Sequence, residues 1–208
     1  MLAGADVVEV DVELTRDGQL VLLHDTTLER LWGVPAAVST LTLAEVATRT
    51  GGGPWAVPTL AHALALARHQ RTTLMVDIPA PSEGAAVVEL VGAHDAWDLV
   101  VLAGDPETLA TARRDAPHAR IALSWEQPEL PQVSLLDRVR PECVNQLHRL
   151  LDADAVQRVH DGGMTVCAYT VDTEARMRQL VAMGVDAIIS NDIRLLRRTL
   201  AGAPARAV

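Results

Sequence analysis

Short runs rich in Val, Ile and Leu recur along this chain with helix-patterned segments between them, and that alternation most limits the folds open to it. Strands that alternate with helices argue for a parallel sheet joined by crossover helices. The strand-like runs are Val7–Leu14, Gln19–His24, Leu74–Ile78, Leu99–Ala103, Arg120–Ser124, Cys143–Gln146, Thr165–Val171 and Ala187–Ser190. Asp17-Gly18 turns the chain between the first two, so Gln19–His24 reads as a hairpin return of the first strand. Seven parallel strands then remain. With one more strand ahead of them they make a barrel of eight. The expected fold class is therefore α/β, a (β/α)8 TIM barrel lacking its first strand and helix. An open doubly wound sheet is the runner-up, but no Gly-rich phosphate turn follows its first strand.

The intervening segments carry helix start and stop signals. Thr42 with Glu45 makes a capping box ahead of Leu43 and Val46. Thr59 opens Leu60–Arg68, Ser82 precedes Ala85–Val91, and Asp105-Pro106 pairs an N-cap with proline at the first helical position. Asp172 is expected to open Thr173–Met183, with Gly184 placed to end it.

The 208 residues, 49% of them hydrophobic, suffice for one domain with a core. Complete barrels of this kind usually need about 250 residues, so residues 1–208 are expected to form a single incomplete barrel domain. Acidic residues outnumber basic ones by 27 to 18, and there are four Trp, one Tyr and no Phe. That surface lacks the charge and the stacking residues of a nucleic-acid binder. Two cysteines, Cys143 and Cys167, make neither a disulfide framework nor a CxxC site and are expected as buried thiols. No run reaches the roughly 18 apolar residues of an integral membrane segment, and no signal-peptide pattern follows Met1, so a cytoplasmic location is expected.

Glu9 and Asp11 lie two apart on one strand and so share a face with Val7 and Glu13, while Val8, Val10 and Val12 take the other. Two carboxylates aimed into a barrel mouth are costly to bury without a cation or base. An all-oxygen site suits a hard divalent metal, Mg2+ or Ca2+. The alternative is a solvated edge strand with alternating acids. His24 closes the return strand and comes back towards the Glu9–Asp11 end, where its pKa suits proton transfer to a leaving alkoxide. His62, His69, His94, His118, His148 and His160 sit on or beside helices without such partners and read as structural.

Together these pieces resemble the glycerophosphodiester phosphodiesterase family, a PLC-like phosphodiesterase type. The segment GADVVEVDVELTRDGQLVLLHDTTLER is similar to its Gly-Ala-Asp approach, ExD strand, Thr-x-Asp-Gly turn and His-Asp strand end. The likeness continues in TLTLAEV, VPTLAHAL, TVCAYTVDTEARM and GVDAIISND, in the family's order. The resemblance implies Glu9 and Asp11 as metal ligands and His24 as one of two catalytic histidines. The family's third carboxylate stands in a Glu-x-Lys strand end, which matches Asp77-Ile78-Pro79 here, so Asp77 is the implied third ligand and the phosphate-binding lysine is replaced by Pro79. Asn145 matches the family's VNP strand end, and Tyr169 takes the place of a tryptophan that faces substrate.

The implied activity is metal-dependent hydrolysis of glycerophosphodiesters, small molecules, to sn-glycerol 3-phosphate and an alcohol. The family begins with a His-Arg-Gly strand and a Pro-Glu-Asn helix start, for which Met1-Leu2-Ala3-Gly4 offers no match. Weak turnover is implied for a chain without that strand; the alternative is an inactive barrel that binds a phosphodiester or a protein partner. A related phosphodiesterase acting on another head group is a third reading. A missing first strand also leaves two open strand edges. A start upstream of Met1, a homodimer through the open barrel edges, or a true fragment would each account for them.

Overall fold

A computed structural model describes residues 4–53 and 56–201; Met1, Leu2 and Ala3 lie outside them. The described residues form two compact units, Val7–Arg120 and a second made of residues 4–6 and 121–201.

In the first unit β1 (Val7–Leu14) pairs antiparallel with β2 (Leu20–Leu22) on one side and parallel with β3 (Thr73–Ile78) on the other. β3 pairs parallel with β4 (Val100–Gly104) in turn. Among the described residues no strand precedes β1. The β1–β2 turn is tied by Thr15, whose amide donates to the Gln19 carbonyl and whose hydroxyl donates to Asp17. Gly18 takes φ +76 there, a conformation that side chains resist. Asp17 also accepts from the Leu43 amide at 2.9 Å, which fixes the turn to α2 (Leu43–Arg49). The Thr42–Glu45 capping box is present with both of its bonds. Ahead of it lies the single turn α1 (Glu29–Trp32) and after it α3 (Leu60–Gln70). Val21, Leu23, Leu28, Val38 and Val46 bury together beneath these segments.

β3 leads into α4 (Pro81–Ala93), and β4 into α5 (Pro106–Asp115), which Asp105 caps as expected. α4 departs from expectation. It starts at Pro81, before Ser82, because proline holds the helical φ and the first helical amide has no intrahelical partner to lose. Gly104 closes β4 at φ +147, where an added Cβ would stand 2.8 Å from the Ile78 carbonyl oxygen.

The strand–helix alternation continues through β5 (Arg120–Trp125), all but its first residue in the second unit, then α6 (Val133–Val139), β6 (Cys143–Leu147), α7 (Ala153–Asp161), β7 (Thr165–Tyr169), α8 (Glu174–Met183), β8 (Ala187–Ile188) and α9 (Ile193–Ala201). β5 to β8 run parallel in chain order. Val156, Val159, Val166, Met177, Leu180 and Leu196 form its core. Thr173, not Asp172, stands at the N-cap of α8. The Asp172 carboxylate is instead taken up by the Asn191 amide at 2.8 Å and the Ser190 hydroxyl at 3.1 Å, which pin the loop after β8. Cys143 and Cys167 are free thiols on neighbouring strands, and burial raises the pKa of both.

Candidate active site

The β1–β3 register assembles the site. Asp11 and Asp77 are lateral partners, so both project from one face of the sheet, and Glu9 precedes Asp11 by one pleat on that face. One carboxylate oxygen from each of Glu9, Asp11 and Asp77 lies within 4.8 Å of the others. On the opposite face of β1, Val12 is fully buried, which commits the acids to their side.

Burial is the main cause of the raised pKa of all three, because a half-buried carboxylate loses hydration that favours its charged form. Glu9 is pushed up to about 7, with the Asp11 and Asp77 charges adding to the effect of burial. Like-charged oxygens held so close and only partly hydrated make a donor set that fits a hard divalent cation.

β2 ends at Leu22, and the Leu23 amide donates to the Asp11 carbonyl at 3.1 Å, which brings His24 back beside the acids. His24 exerts an opposing charge on Glu9, Asp11 and Asp77 alike. Its ring is exposed, with Nδ1 3.0 Å from Asp25 Oδ1. That bond first, and the Asp11 charge second, raises the His24 pKa. Asp25 is itself gripped by Arg30 of α1, whose Nε donates to Oδ2 at 2.5 Å and Nη2 to Oδ1 at 3.0 Å. The guanidinium, followed by His24, holds the Asp25 carboxyl down at about 2. Asp25, ionised above about pH 2, favours the His24 tautomer with the proton on Nδ1, and Nε2 takes no part in that bond.

Glu13, noted in the sequence only as a companion of Glu9 and Asp11, is buried; its pKa is pushed up to about 6 by burial and then by the Glu83 and Asp11 charges. Pro79 follows β3 on the surface. Asn145 and Tyr169 belong to the second unit. Asn145 on β6 is buried, and its Oδ1 has no hydrogen-bond partner. Tyr169 ends β7, and its hydroxyl donates to Glu126 at 3.0 Å. Of the histidines read as structural, His160 differs from expectation: its Nε2 lies 2.7 Å from Asp186 Oδ2, which also accepts from the Val166 amide.

Residues 1–195 match the model of the glycerophosphoryl diester phosphodiesterase family. A glycerophosphodiester phosphodiesterase of Caldanaerobacter subterraneus is 24% identical over 95% of this chain and 88% of its own length. An Oleispira antarctica phosphodiesterase, solved in complex with the product sn-glycerol-3-phosphate, superposes with a TM-score of 0.83 at 22% identity, over 97% of this chain and 87% of that one. A glycerophosphodiester phosphodiesterase of Thermotoga maritima gives a TM-score of 0.80 at 18% identity, over 95% and 86%. The structural likenesses establish the fold as α/β, of the (β/α)8-barrel type.

Proposed function

This chain belongs to the glycerophosphoryl diester phosphodiesterase family, and from that premise we propose that it hydrolyses glycerophosphodiesters to sn-glycerol 3-phosphate and an alcohol. The convergence of Glu9, Asp11 and Asp77 beside His24 is the observation that carries this reading. A hard divalent cation, Mg2+ or Ca2+, held by the three carboxylates would supply charge neutralisation at the phosphodiester oxygens.

The remaining chemistry falls to the chain's own groups. A water bonds through oxygen to phosphorus, releasing a proton to solvent, as the P–O bond to the alcohol breaks. Where the neighbouring glycerol hydroxyl bonds instead, it likewise releases its proton, and a water then opens the cyclic phosphate to sn-glycerol 3-phosphate. Protonated His24 gives its Nε2 proton to the departing oxygen. Asp25, fixed by Arg30, keeps the imidazole in the tautomer and orientation this transfer needs. The family resemblance alone supports Asn145 and Tyr169 as substrate-binding groups; Asn145 Oδ1, buried and without a hydrogen-bond partner, is an acceptor available for a substrate hydroxyl.

A second reading, binding without turnover, is favoured by Pro79 standing where the family pattern has a lysine. Release of glycerol 3-phosphate from glycerophosphodiesters by residues 1–208, with and without chelator, separates the two. Metal-dependent release that is lost in Glu9→Ala supports hydrolysis. No release by a folded, cation-binding chain supports the second reading.

A further inference from the structure

Neighbouring strands of the second unit bring a small set of side chains to one face. The β6–β7 register pairs Asn145 with Cys167 and Leu147 with Tyr169, so Asn145, Leu147 and Tyr169 share that face. Val144, Val166 and Ala168 take the other, in the core. Tyr169 reaches back across β6, and its hydroxyl donates to Glu126 Oε1 at 3.0 Å. Glu126 directly follows β5, while Leu147 ends β6 and Tyr169 ends β7, so all three stand at strand C-termini.

The backbone is pinned on both sides of Glu126. Trp125 Nε1 donates to the Glu129 carbonyl at 2.6 Å, and Gln146 Nε2 donates to the Gln127 carbonyl at 2.9 Å. An exposed glutamate is thus held at its backbone and at one carboxylate oxygen, although ordering such a side chain costs entropy. Among the described residues no cationic side chain pairs with it. Deeper on the same face Asn145, 6% exposed, has an Oδ1 that no donor reaches. The face therefore offers fixed acceptors and a negative charge, and what would complement it is a donor that carries positive charge.

A hard dication is not that complement. It takes several oxygen ligands, and among the described residues only Glu9, Asp11 and Asp77 gather as such a group. Here one carboxylate is flanked by the half-buried Tyr169 and Leu147. That surrounding suits a small organic ammonium. Its N–H groups bond to the carboxylate, its charge is drawn to the aromatic ring, and its methylenes lie on the leucine.

We propose that Glu126 is a specificity-determining residue, which with Tyr169 receives the ammonium group of a glycerophosphodiester whose alcohol is an amino alcohol. The inference rests on the hydrolytic reading and names the class of alcohol released. A neutral polyol gains nothing from the Glu126 charge, and an anionic head group is repelled by it.

The chain has a single tyrosine, so isotope labelling of that residue type gives an NMR ring signal belonging to this face alone. Ethanolamine titrated into residues 1–208 should shift the signal saturably, and ethylene glycol, its neutral counterpart, should not. Glu126→Gln keeps an acceptor for the Tyr169 hydroxyl and removes the charge. It should weaken ethanolamine about tenfold. In turnover it should lower, also by about tenfold, the ratio of kcat/KM for the ethanolamine diester of glycerol 3-phosphate to that for the glycerol diester. A thermal melt shows that the variant is folded. Hydrolysis whose ratio is unmoved by the substitution overturns the inference and keeps the hydrolytic reading. So does a Tyr169 signal that ethanolamine leaves in place, or shifts alike in both chains, while hydrolysis proceeds. Glu126-dependent binding of ethanolamine by a chain that hydrolyses neither diester supports the cation site and overturns the hydrolytic reading.

Discussion

Asp25 has two neighbours of opposite consequence. Arg30 fixes it as an anion, and His24 is made more basic by it. If His24 acts as the general acid, its protonated form sets the alkaline limb of the rate profile. Asp25→Asn removes the largest contribution to the raised His24 pKa, so that limb should move to lower pH. Turnover at pH 8 should then fall more than turnover at pH 6. A pH profile of kcat, with an NMR titration of His24, checks both; an unmoved limb would assign it to another group. Of these residues, Glu9, Asp11 and His24 were legible in the sequence, because strand parity and the ends of strands follow from local pattern, and Asp77 was legible only through the family resemblance. Arg30 was not, since its grip on Asp25 depends on how one short helical turn, α1, folds back. Glu13 was visible as a position but not as a buried one. Alternating acids look alike in sequence whether their face meets solvent or α4.

At the scale of elements, the site depends on how closely β4 approaches β3. Gly104 permits that approach, for any side chain there would meet the Ile78 carbonyl one residue beyond Asp77. Gly104→Ala combines a positive φ with this clash and should cost about 1–3 kcal/mol. It should also weaken cation binding, because Asp77 shares the displaced backbone. Denaturant unfolding and Mn2+ titration read the two effects separately. Strand order was legible from β-branched runs, and the Thr42–Glu45 and Asp105 caps from their own chemistry. Element ends were less so. β2 stops at Leu22 and β8 at Ile188, short of their apolar runs. Asp172 gave up helix capping for a loop that lies near it only in the folded chain.

At the scale of the whole chain, alternation of strands and helices sufficed to read an α/β fold with a parallel sheet, since crossover connections repeat along the chain. The choice of a barrel over an open sheet leaned on the missing Gly-rich turn and the family resemblance. Among the described residues no helix is long and apolar enough to cross a membrane. The molecule's stability should register its unbalanced acids. Glu9 titrates near 7 when folded against 4.5 ordinarily, so between those values the folded chain keeps a proton that the unfolded chain has released. The stability it lends is complete below about 4.5 and is lost as pH rises through about 7. His24, also raised, acts in the same sense. In chelator the melting temperature should therefore fall from pH 5 to pH 8. A divalent cation at about one hundred times its Kd should restore roughly 2.7 kcal/mol at pH 8. Melts that are flat in pH, or indifferent to cation, would contradict this.

The alternation along β1 also sets how the chain can change length. Glu9, Asp11 and Glu13 occupy its odd positions and Val8, Val10 and the buried Val12 its even ones, so one residue inserted or deleted between Val7 and Asp11 would exchange the two faces of the strand ahead of it. Valines would then enter the site and carboxylates the core. The turn from Thr15 to Gln19 lies beyond the last β1–β2 pair, Leu14 with Leu20, and a length change there leaves that parity intact. Insertions and deletions among descendants of this sequence should thus accumulate in the turn and be absent from the first half of β1.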